Sequence, residues 1–187
     1  MTTFGNTAEA PGPHGTTRAG AAASRLRSGL VLVAFLAISF AVAALGTIAT
    51  AGNVDGWYAD AEKAPWNPPS WIFGPAWTLL YTLISVAAWL VWRRRRELPV
   101  RRPLTLYVVQ LVLNSIWTPV FFGLYPTAGA PALWIALVII LLLDVVVLLT
   151  MLAFWPVNRA AAWLLVPYWA WLLFATTLNW ALAALNS

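Results

Sequence analysis

Long apolar runs separated by short polar segments dominate the pattern of this chain. Five runs are long enough to cross about 30 Å of hydrocarbon at 1.5 Å per residue. Because backbone groups in lipid must be bonded within their own segment, each run predicts a helix. The predicted helices cover residues 29–49, 71–92, 104–124, 130–154 and 160–185. The expected fold class is an all-α integral membrane protein, with a five-transmembrane-helix bundle in residues 29–187.

The first 28 residues have a different composition from the runs. They are rich in Thr, Gly, Ala and Pro, which predicts a disordered N-terminal tail over residues 1–28. A cleaved signal peptide is an alternative interpretation of the first run, since Arg25 and Arg27 precede an apolar stretch with an internal Ala-Val-Ala. The stretch continues beyond that site to Ala49, which favours a membrane helix.

Composition supports a lipid environment. Hydrophobic residues make up 61% of the 187 residues and charged residues 9%, whereas a soluble domain is about 25% charged. A soluble chain of this size buries only about 70% of its surface on folding. A soluble globular enzyme is therefore excluded, and the lipid bilayer is the expected partner.

The basic residues are distributed unequally between the two predicted membrane faces. Ten arginines lie in the tail, the second-to-third connection and the fourth-to-fifth connection, while Lys63 lies on the other side. The positive-inside rule then places the N-terminus in the cytoplasm and the C-terminus outside, in a multi-pass protein of the cell membrane. Because these arginines form no basic face of a folded domain, no nucleic acid partner is expected.

The chemistry available to the chain is narrow. With no Cys and a single His, disulfides, thiol nucleophiles, protein-built metal sites and axial haem ligation are not expected. No metal and no resident cofactor are therefore predicted. The 13 tryptophans instead suit a large, flat, apolar ligand held between aromatic walls.

The connection between the first two runs is rich in proline and tryptophan. Pro68 and Pro69 stiffen an extended segment that can cover the outer mouth of a bundle. Trp66 and Trp71 fit such a cover and fit equally well an aromatic belt at headgroup depth.

Polar and aromatic stripes run along two of the predicted helices. Trp77 and Tyr81 are four residues apart and face the same way. Gln110, Asn114 and Trp117 follow helical spacing, and amides within a membrane face the bundle interior. They can serve as interhelical hydrogen bonds or as polar anchors in a ligand cavity, and spacing alone favours the structural role.

The last helix carries an aromatic and small-residue face, and the fourth carries an acid. Tyr168, Trp171, Ala175 and Asn179 share one face, which makes either a niche or ordinary packing. Asp144 is the one acid within a predicted span. Since no Lys, Arg or His lies in any span to pair with it, a protonated or amide-paired carboxyl is favoured over proton coupling.

These motifs together resemble the TspO/translocator protein family, also called tryptophan-rich sensory proteins or peripheral benzodiazepine receptors. The resemblance covers about residues 30–183. The matching residues are Trp57-Tyr58, Lys63, Trp66-Asn67-Pro68-Pro69, Phe73-Gly74-Pro75, Trp77-Thr78, Tyr81, Gln110, Asn114, Trp117, Phe121-Phe122, Pro167-Tyr168, Trp171, Phe174-Ala175-Thr176 and Leu178-Asn179.

The resemblance implies a homodimeric membrane receptor that binds porphyrins and similar flat hydrophobic ligands and regulates tetrapyrrole metabolism. It also implies light- and oxygen-dependent porphyrin degradation, with Trp77 and Trp171 as the candidate catalytic indoles. The candidate ligand-binding residues from the resemblance and the stripes together are Tyr58, Trp66, Pro68, Pro69, Trp77, Tyr81, Asn114, Trp117, Trp171 and Ala175.

Two departures and two alternatives qualify the resemblance. Ala64 stands where many members have Pro, and the last helix ends without the Tyr and basic residue of the cholesterol pattern, so sterol recognition is not expected. A transporter of a small hydrophobic molecule, hinged at Pro119 and Pro167, is one alternative function. A signalling protein that acts only through a ligand-dependent population shift is the other.

Overall fold

Helices account for nearly all of the chain described by the computed structural model, which covers residues 14–187, with side chains for 20–48 and 51–187. A single 3₁₀ turn, Ser70–Ile72, precedes α3, and a π-helical turn, Pro119–Gly123, follows α4. No strand occurs among the described residues, which confirms the all-α prediction. The helices are α1 His14–Val54, α2 Trp57–Asp60, α3 Phe73–Arg93, α4 Arg101–Thr118, α5 Tyr125–Ala128, α6 Ala130–Phe154 and α7 Arg159–Leu185.

Five helical segments are long and apolar enough to cross a membrane, which confirms the predicted five-helix membrane bundle. Their bounds agree with the predicted runs to within a few residues except at the start of the first. The segments are Gly20–Ile48, Ser70–Arg93, Arg101–Gly123, Ala130–Phe154 and Arg159–Leu185.

The first helix begins earlier than the sequence pattern predicts. Because α1 is helical from His14, the prediction of a disordered tail is wrong for residues 14–28, while residues 1–13 lie outside the described part of the chain. Residues 20–23 read Gly-Ala-Ala-Ala, and Ala has the highest helix propensity. A helix already nucleated in the adjoining apolar run propagates into such a segment at little cost.

Proline and glycine shape the turns as local rules require. At Pro119, which lacks a backbone N–H, α4 passes into the π-helical turn. Pro167 lies inside α7 without ending it. Gly129 has a φ of 63°, a backbone conformation that favours glycine, and it forms the turn between α5 and α6.

The long helices pack as a closed ring in the order α1, α3, α7, α6 and α4, with α4 returning to α1. The large side chains in its interior include Tyr107, Phe154 and Tyr168, all fully buried. Leu, Val and Ile side chains cover the outer faces, as expected of surfaces that face lipid rather than water.

Buried hydroxyls join the helices across the ring. Ser85 Oγ on α3 donates to Ser39 Oγ on α1 at 2.8 Å, and Ser39 Oγ lies 3.1 Å from the Tyr107 hydroxyl on α4. Asp144 Oδ2 on α6 accepts from Thr176 Oγ1 on α7 at 2.8 Å. The partner of the intramembrane acid is thus a hydroxyl, whereas the sequence favoured either a protonated carboxyl or an amide partner.

Candidate ligand cavity

A cavity of about 930 Å³ lies between α1, the connection from α1 to α3, the first half of α3 and the end of α4. Small-molecule sites in proteins have volumes of about 300–1,000 Å³. This cavity therefore has room for a large organic ligand.

Aromatic rings from α3 and α4 line one side of the cavity. The ring centroids of Trp77 and Tyr81 lie 5.3 Å apart, and Trp77 also meets the buried Tyr168 ring at 6.3 Å. Trp117 and Phe122 line the cavity from the end of α4. These rings offer flat, polarisable faces to an apolar ligand.

Asn114 fixes the polar part of the same side. Tyr81 Oη donates to Asn114 Oδ1 at 2.8 Å, and Asn114 Nδ2 donates to the Tyr168 hydroxyl at 3.0 Å. The amide thereby links α3, α4 and α7 while it borders the cavity. Both roles considered from sequence, the interhelical hydrogen bond and the position at a cavity, apply to this residue.

The other polar members of the α4 stripe face away from the cavity or donate elsewhere. Trp117 Nε1 donates to Asn179 Oδ1 at 3.2 Å, and Asn179 Nδ2 donates to the Leu133 carbonyl at 3.0 Å. Gln110 is fully buried, and neither of its amide atoms has a hydrogen-bond partner within residues 20–48 and 51–187. Gln110 does not line the cavity.

Residues 55–69, here called the lid, cover one side of the cavity. Trp57 attaches the lid to the α4–α5 turn: its Nε1 donates to the Phe122 carbonyl at 2.8 Å, and its ring stacks on Tyr125 at 3.9 Å. Sequence spacing did not reveal this attachment, because the partners lie 65 residues apart.

The C-terminal end of α7 holds the lid from a second direction. Asn186 Oδ1 accepts from the Glu62 backbone N–H at 3.1 Å, and Asn186 Nδ2 donates to the Glu62 carbonyl at 2.9 Å. The same Nδ2 donates to the Leu182 carbonyl at 2.8 Å, which orients the amide. A lone Asn near the end of a helix carries no sequence signal for such a contact.

Two side chains of the lid give the cavity its polar edge. Burial raises the pKa of the Tyr58 phenol, so that it remains neutral at physiological pH. Lys63 Nζ donates to the Ala59 carbonyl at 2.8 Å and lies 5.0 Å from the centre of the Tyr58 ring. Among residues 20–48 and 51–187, no group of three His, Cys, Asp or Glu side chains could hold a metal.

Comparison with known sequences identifies the family of this chain. The profile of the TspO/MBR family matches residues 34–185. The chain belongs to the TspO/MBR family. It is 42% identical to the tryptophan-rich protein TspO of Archaeoglobus fulgidus over 157 residues, 83% of this chain and 94% of that protein. It is 41% identical to the human translocator protein over 126 residues, 66% and 71% of the two chains.

A third relative in the TspO/MBR family is bacterial. The tryptophan-rich sensory protein of Cereibacter sphaeroides is 39% identical over 148 residues, which are 78% of this chain and 88% of that protein. The resemblance inferred from the sequence motifs is thereby confirmed, and the chain is a multi-pass membrane protein of this family.

Most of the candidate site residues of this TspO/MBR chain meet at the cavity, but three do not. Trp66 is half exposed on the outer side of the lid, and Trp171 and Ala175 on α7 do not line the cavity. Trp171 packs edge-on against Phe73, with centroids 5.8 Å apart, and Phe73 itself lines the cavity. The residues that line it are Tyr58, Pro68, Pro69, Trp77, Tyr81, Asn114 and Trp117.

Trp171 is thus separated from the cavity by one aromatic ring. Its Nε1 is buried and has no hydrogen-bond partner within the described part of the chain. An unpaired buried donor is costly, so this N–H has capacity for one acceptor.

The wall contributed by α1 was missed by sequence reasoning. It consists of small and apolar side chains, which an apolar run contains throughout and which therefore carry no signal. At Gly46 a Cβ atom would lie 3.3 Å from Thr118 Cγ2, so glycine permits the close approach of α1 to the end of α4. The α1 residues of this wall are Phe40, Val42, Ala43, Gly46, Thr47 and Val54.

Proposed function

We propose that this chain is a membrane receptor that binds a porphyrin or a similar flat apolar ligand in the cavity and regulates tetrapyrrole metabolism. The observation that carries the proposal is the cavity of about 930 Å³ with Trp77 and Tyr81 along one side. Names of relatives such as tryptophan-rich sensory protein and translocator protein support a receptor or sensor role.

Recognition would combine stacking with a few polar contacts. A macrocycle would lie against the Trp77 face, where its π system gains dispersion and quadrupole attraction. The Tyr58 phenol, whose hydroxyl donates to Asn67 Oδ1 at a long 3.5 Å, can turn to a ligand acceptor, and Lys63 on the cavity edge can attract a ligand carboxylate. Because Asp55 also lines the cavity, an acidic tetrapyrrole would have to place its carboxylate beside Lys63.

The same contacts supply a route for light- and oxygen-dependent degradation. An excited porphyrin against Trp77 would take one electron from the indole and leave an indole radical cation. The porphyrin radical anion would pass that electron to dioxygen, which returns the porphyrin to its ground state and forms superoxide. Superoxide and the indole radical cation would then be the oxidants that attack the macrocycle. Trp171 would join as a second indole when Phe73 changes rotamer, and its free Nε1–H would then gain a ligand acceptor.

Protoporphyrin fluorescence quenching by the purified protein tests the proposal. The wild type should quench strongly, Trp77→Phe should lose most of the effect, and Trp171→Phe should lose less because Phe73 intervenes. Trp163→Phe is the matched control, since this indole is 61% exposed on the outer face of α7. Unchanged quenching in both Trp77→Phe and Trp171→Phe would contradict the assignment.

We also propose that the protein lies in the cell membrane with the N-terminus cytoplasmic and the C-terminus outside. The arginines of residues 93–102 support this orientation. Because the chain has no Cys, single cysteines report on sidedness without background. A membrane-impermeant maleimide should label Ser187→Cys but not Leu98→Cys in intact cells, and the reverse pattern would overturn the orientation.

A homodimer is proposed on the family resemblance and on the small residues of α1. Ala37 and Ala41 are exposed one turn apart, which permits close helix contact. Ala37→Cys should form an intermolecular disulfide in membranes under mild oxidation, whereas Ala87→Cys, fully buried within the bundle, should not. Absence of cross-linking at Ala37, together with a monomer in native mass spectrometry, would overturn the proposal.

A further inference from the structure

A second cavity, of about 460 Å³, lies at the arginine-rich face of the bundle, apart from the aromatic cavity. It is formed where the α3–α4 connection meets the α6–α7 connection. Arg94 lines it from the first connection, and residues 155–160 line it from the second. We call it the arginine pocket.

The charge at the arginine pocket is strongly positive. Arg94 and Arg159 both line it, and residues 93–102, which comprise the α3–α4 connection and the adjoining helix ends, contain six arginines. The acid of that connection is Glu97, whose Oε2 lies 2.7 Å from Arg94 Nη1 in an ion pair exposed to solvent. Glu97 does not line the pocket, so one carboxylate offsets only part of the charge.

The start of α7 adds to this positive potential. Asn158 caps the helix, with its Oδ1 accepting from the Ala161 backbone N–H at 3.0 Å, and Arg159 and Ala160 line the pocket at the first turn. The dipole of a 27-residue helix places partial positive charge at this end. Guanidinium groups and a helix N-terminus together match the geometry of a phosphate.

Trp155 marks the depth of the arginine pocket in the membrane. Its ring is 45% exposed, lies 5.5 Å from the Arg159 guanidinium carbon and contacts the ring of Trp163 at 6.0 Å. Exposed indoles beside arginines are typical of the headgroup level of a bilayer. A ligand at this depth is reached from the lipid leaflet more readily than from the aqueous phase.

We propose that the arginine pocket binds the phosphate group of an anionic phospholipid headgroup. The two guanidinium groups and the first turn of α7 hold the phosphate, and Trp155 contacts the glycerol region. A basic pocket between transmembrane helices is a geometry suited to such headgroups. The bound lipid joins the α3–α4 and α6–α7 connections, which both border this pocket.

Native mass spectrometry of the full chain from nanodiscs tests the proposal. The discs contain phosphatidylcholine alone or with a minor fraction of phosphatidylglycerol. The wild type should retain phosphatidylglycerol in preference to phosphatidylcholine, and Arg94→Gln/Arg159→Gln should weaken that retention about tenfold. Arg102→Gln is the control, because it removes a charge from the same arginine-rich segment and Arg102 does not line the pocket. This variant should change phosphatidylglycerol retention less than about twofold.

Two further variants test the pocket without depending on the double substitution. Glu97→Gln should raise phosphatidylglycerol affinity about twofold, because it releases the Arg94 guanidinium from an exposed ion pair. Arg159→Lys, which keeps the charge, should retain most of the binding. Thermal denaturation of each variant in detergent shows whether the bundle remains folded.

Three results would overturn the proposal. An equal loss in Arg102→Gln and in the double variant would mean diffuse attraction to a basic face. Equal retention of the two lipids by the wild type would mean that no anionic headgroup is recognised. Displacement of the lipid by millimolar inorganic phosphate, with the same sensitivity to the double variant, would assign the pocket to a soluble phosphate instead.

Discussion

The two walls of the aromatic cavity are built in opposite ways. The fixed wall, formed by Trp77, Tyr81, Asn114 and Trp117, is tied to neighbouring helices by side-chain hydrogen bonds. The α1 wall is mainly apolar. Only 6% of the residues in the membrane-spanning window of α1 are buried inside the protein, against 39% for the span that contains α3. The fixed wall is thus held in place by these bonds, and we expect the α1 wall to adapt more readily to what the cavity contains.

Side-chain hydrogen bonds join α1 to the bundle below the cavity, and beside the cavity α1 packs closely against Thr118 at the end of α4. Trp89 Nε1 donates to the Ser28 carbonyl at 2.9 Å, and Ser39 joins the hydroxyl cluster with Ser85 and Tyr107. From Phe40 onward the helix lines the cavity. α1 is thus joined to the bundle by hydrogen bonds over its first half and lines the cavity with its second half.

Removal of the central amide of the fixed wall should have the largest effect. Asn114→Leu leaves the buried hydroxyls of Tyr81 and Tyr168 without their shared partner, which we expect to cost about 2 kcal/mol of stability. Thermal denaturation in detergent measures this. Ser115→Ala is the control, because Ser115 is exposed and bonds only to its own helix at Val112. Equal stability of the two variants would mean that the wall is not fixed by Asn114.

Filling the α1 wall should alter binding more than stability. Gly46→Leu projects a side chain toward Thr118 and into the cavity, so we expect porphyrin affinity to fall about tenfold while α1 shifts outward. Gly29→Leu is matched to it, since a Cβ at Gly29 meets open space. Fluorescence titration distinguishes them. A large loss of stability in Gly46→Leu would contradict the adaptability of this wall.

If the hydrogen bonds of Asn186 hold the lid closed, the lid is a fixed part of the cavity like the wall around Asn114. Asn186→Ala removes two hydrogen bonds to Glu62, and we expect ligand dissociation to accelerate about fivefold. Hydrogen exchange of residues 55–69 should increase in parallel. Ser187→Ala tests the neighbouring position, where the hydroxyl bonds to Ala183 and Trp134 and not to the lid. Unchanged dissociation in Asn186→Ala would assign lid control to Trp57 alone.

The anchor of α1 should show the smallest effect. Ser39→Ala removes the hydroxyl between Ser85 and Tyr107, which we expect to cost about 0.6 kcal/mol, the typical value for a hydrogen bond between membrane helices. Unfolding in a denaturing detergent mixture measures it. Thr177→Ala is the comparison, because Thr177 is exposed and bonds within its own helix at Phe174. Exchange protection in α1 should fall only in Ser39→Ala.

The same contrast explains how far the sequence predicted the cavity. Amides and aromatic rings are conspicuous in an apolar run, so Trp77, Tyr81 and Asn114 on the fixed wall could be selected by spacing. Phe40 and Gly46 on the α1 wall resemble every other residue of their run, and their position depends on which neighbour the helix meets. The helix bounds could be predicted from hydropathy, because a backbone in lipid must form its hydrogen bonds within its own helix.

The prediction for Trp171 shows what spacing alone omits. Helical periodicity gave the face of α7 on which it lies, but its distance from the cavity depends on Phe73, which comes from another helix. The contacts of Asn186 and Trp57 could not be predicted from spacing either, because their partners lie 124 and 65 residues away. Contacts of this range are set by the ring of helices and not by local pattern.

The hydrogen-bond direction at Tyr81 imposes a polarity on any occupant of the cavity. Its hydroxyl proton is committed to Asn114 Oδ1, so toward the cavity the oxygen can offer only a lone pair. A ligand atom that meets it must therefore bring its own proton, as a pyrrole N–H does. A carboxylate or a bare carbonyl placed there would face oxygen against oxygen. On the proposed function, ligands would therefore be selected by the arrangement of their protons as well as by their shape.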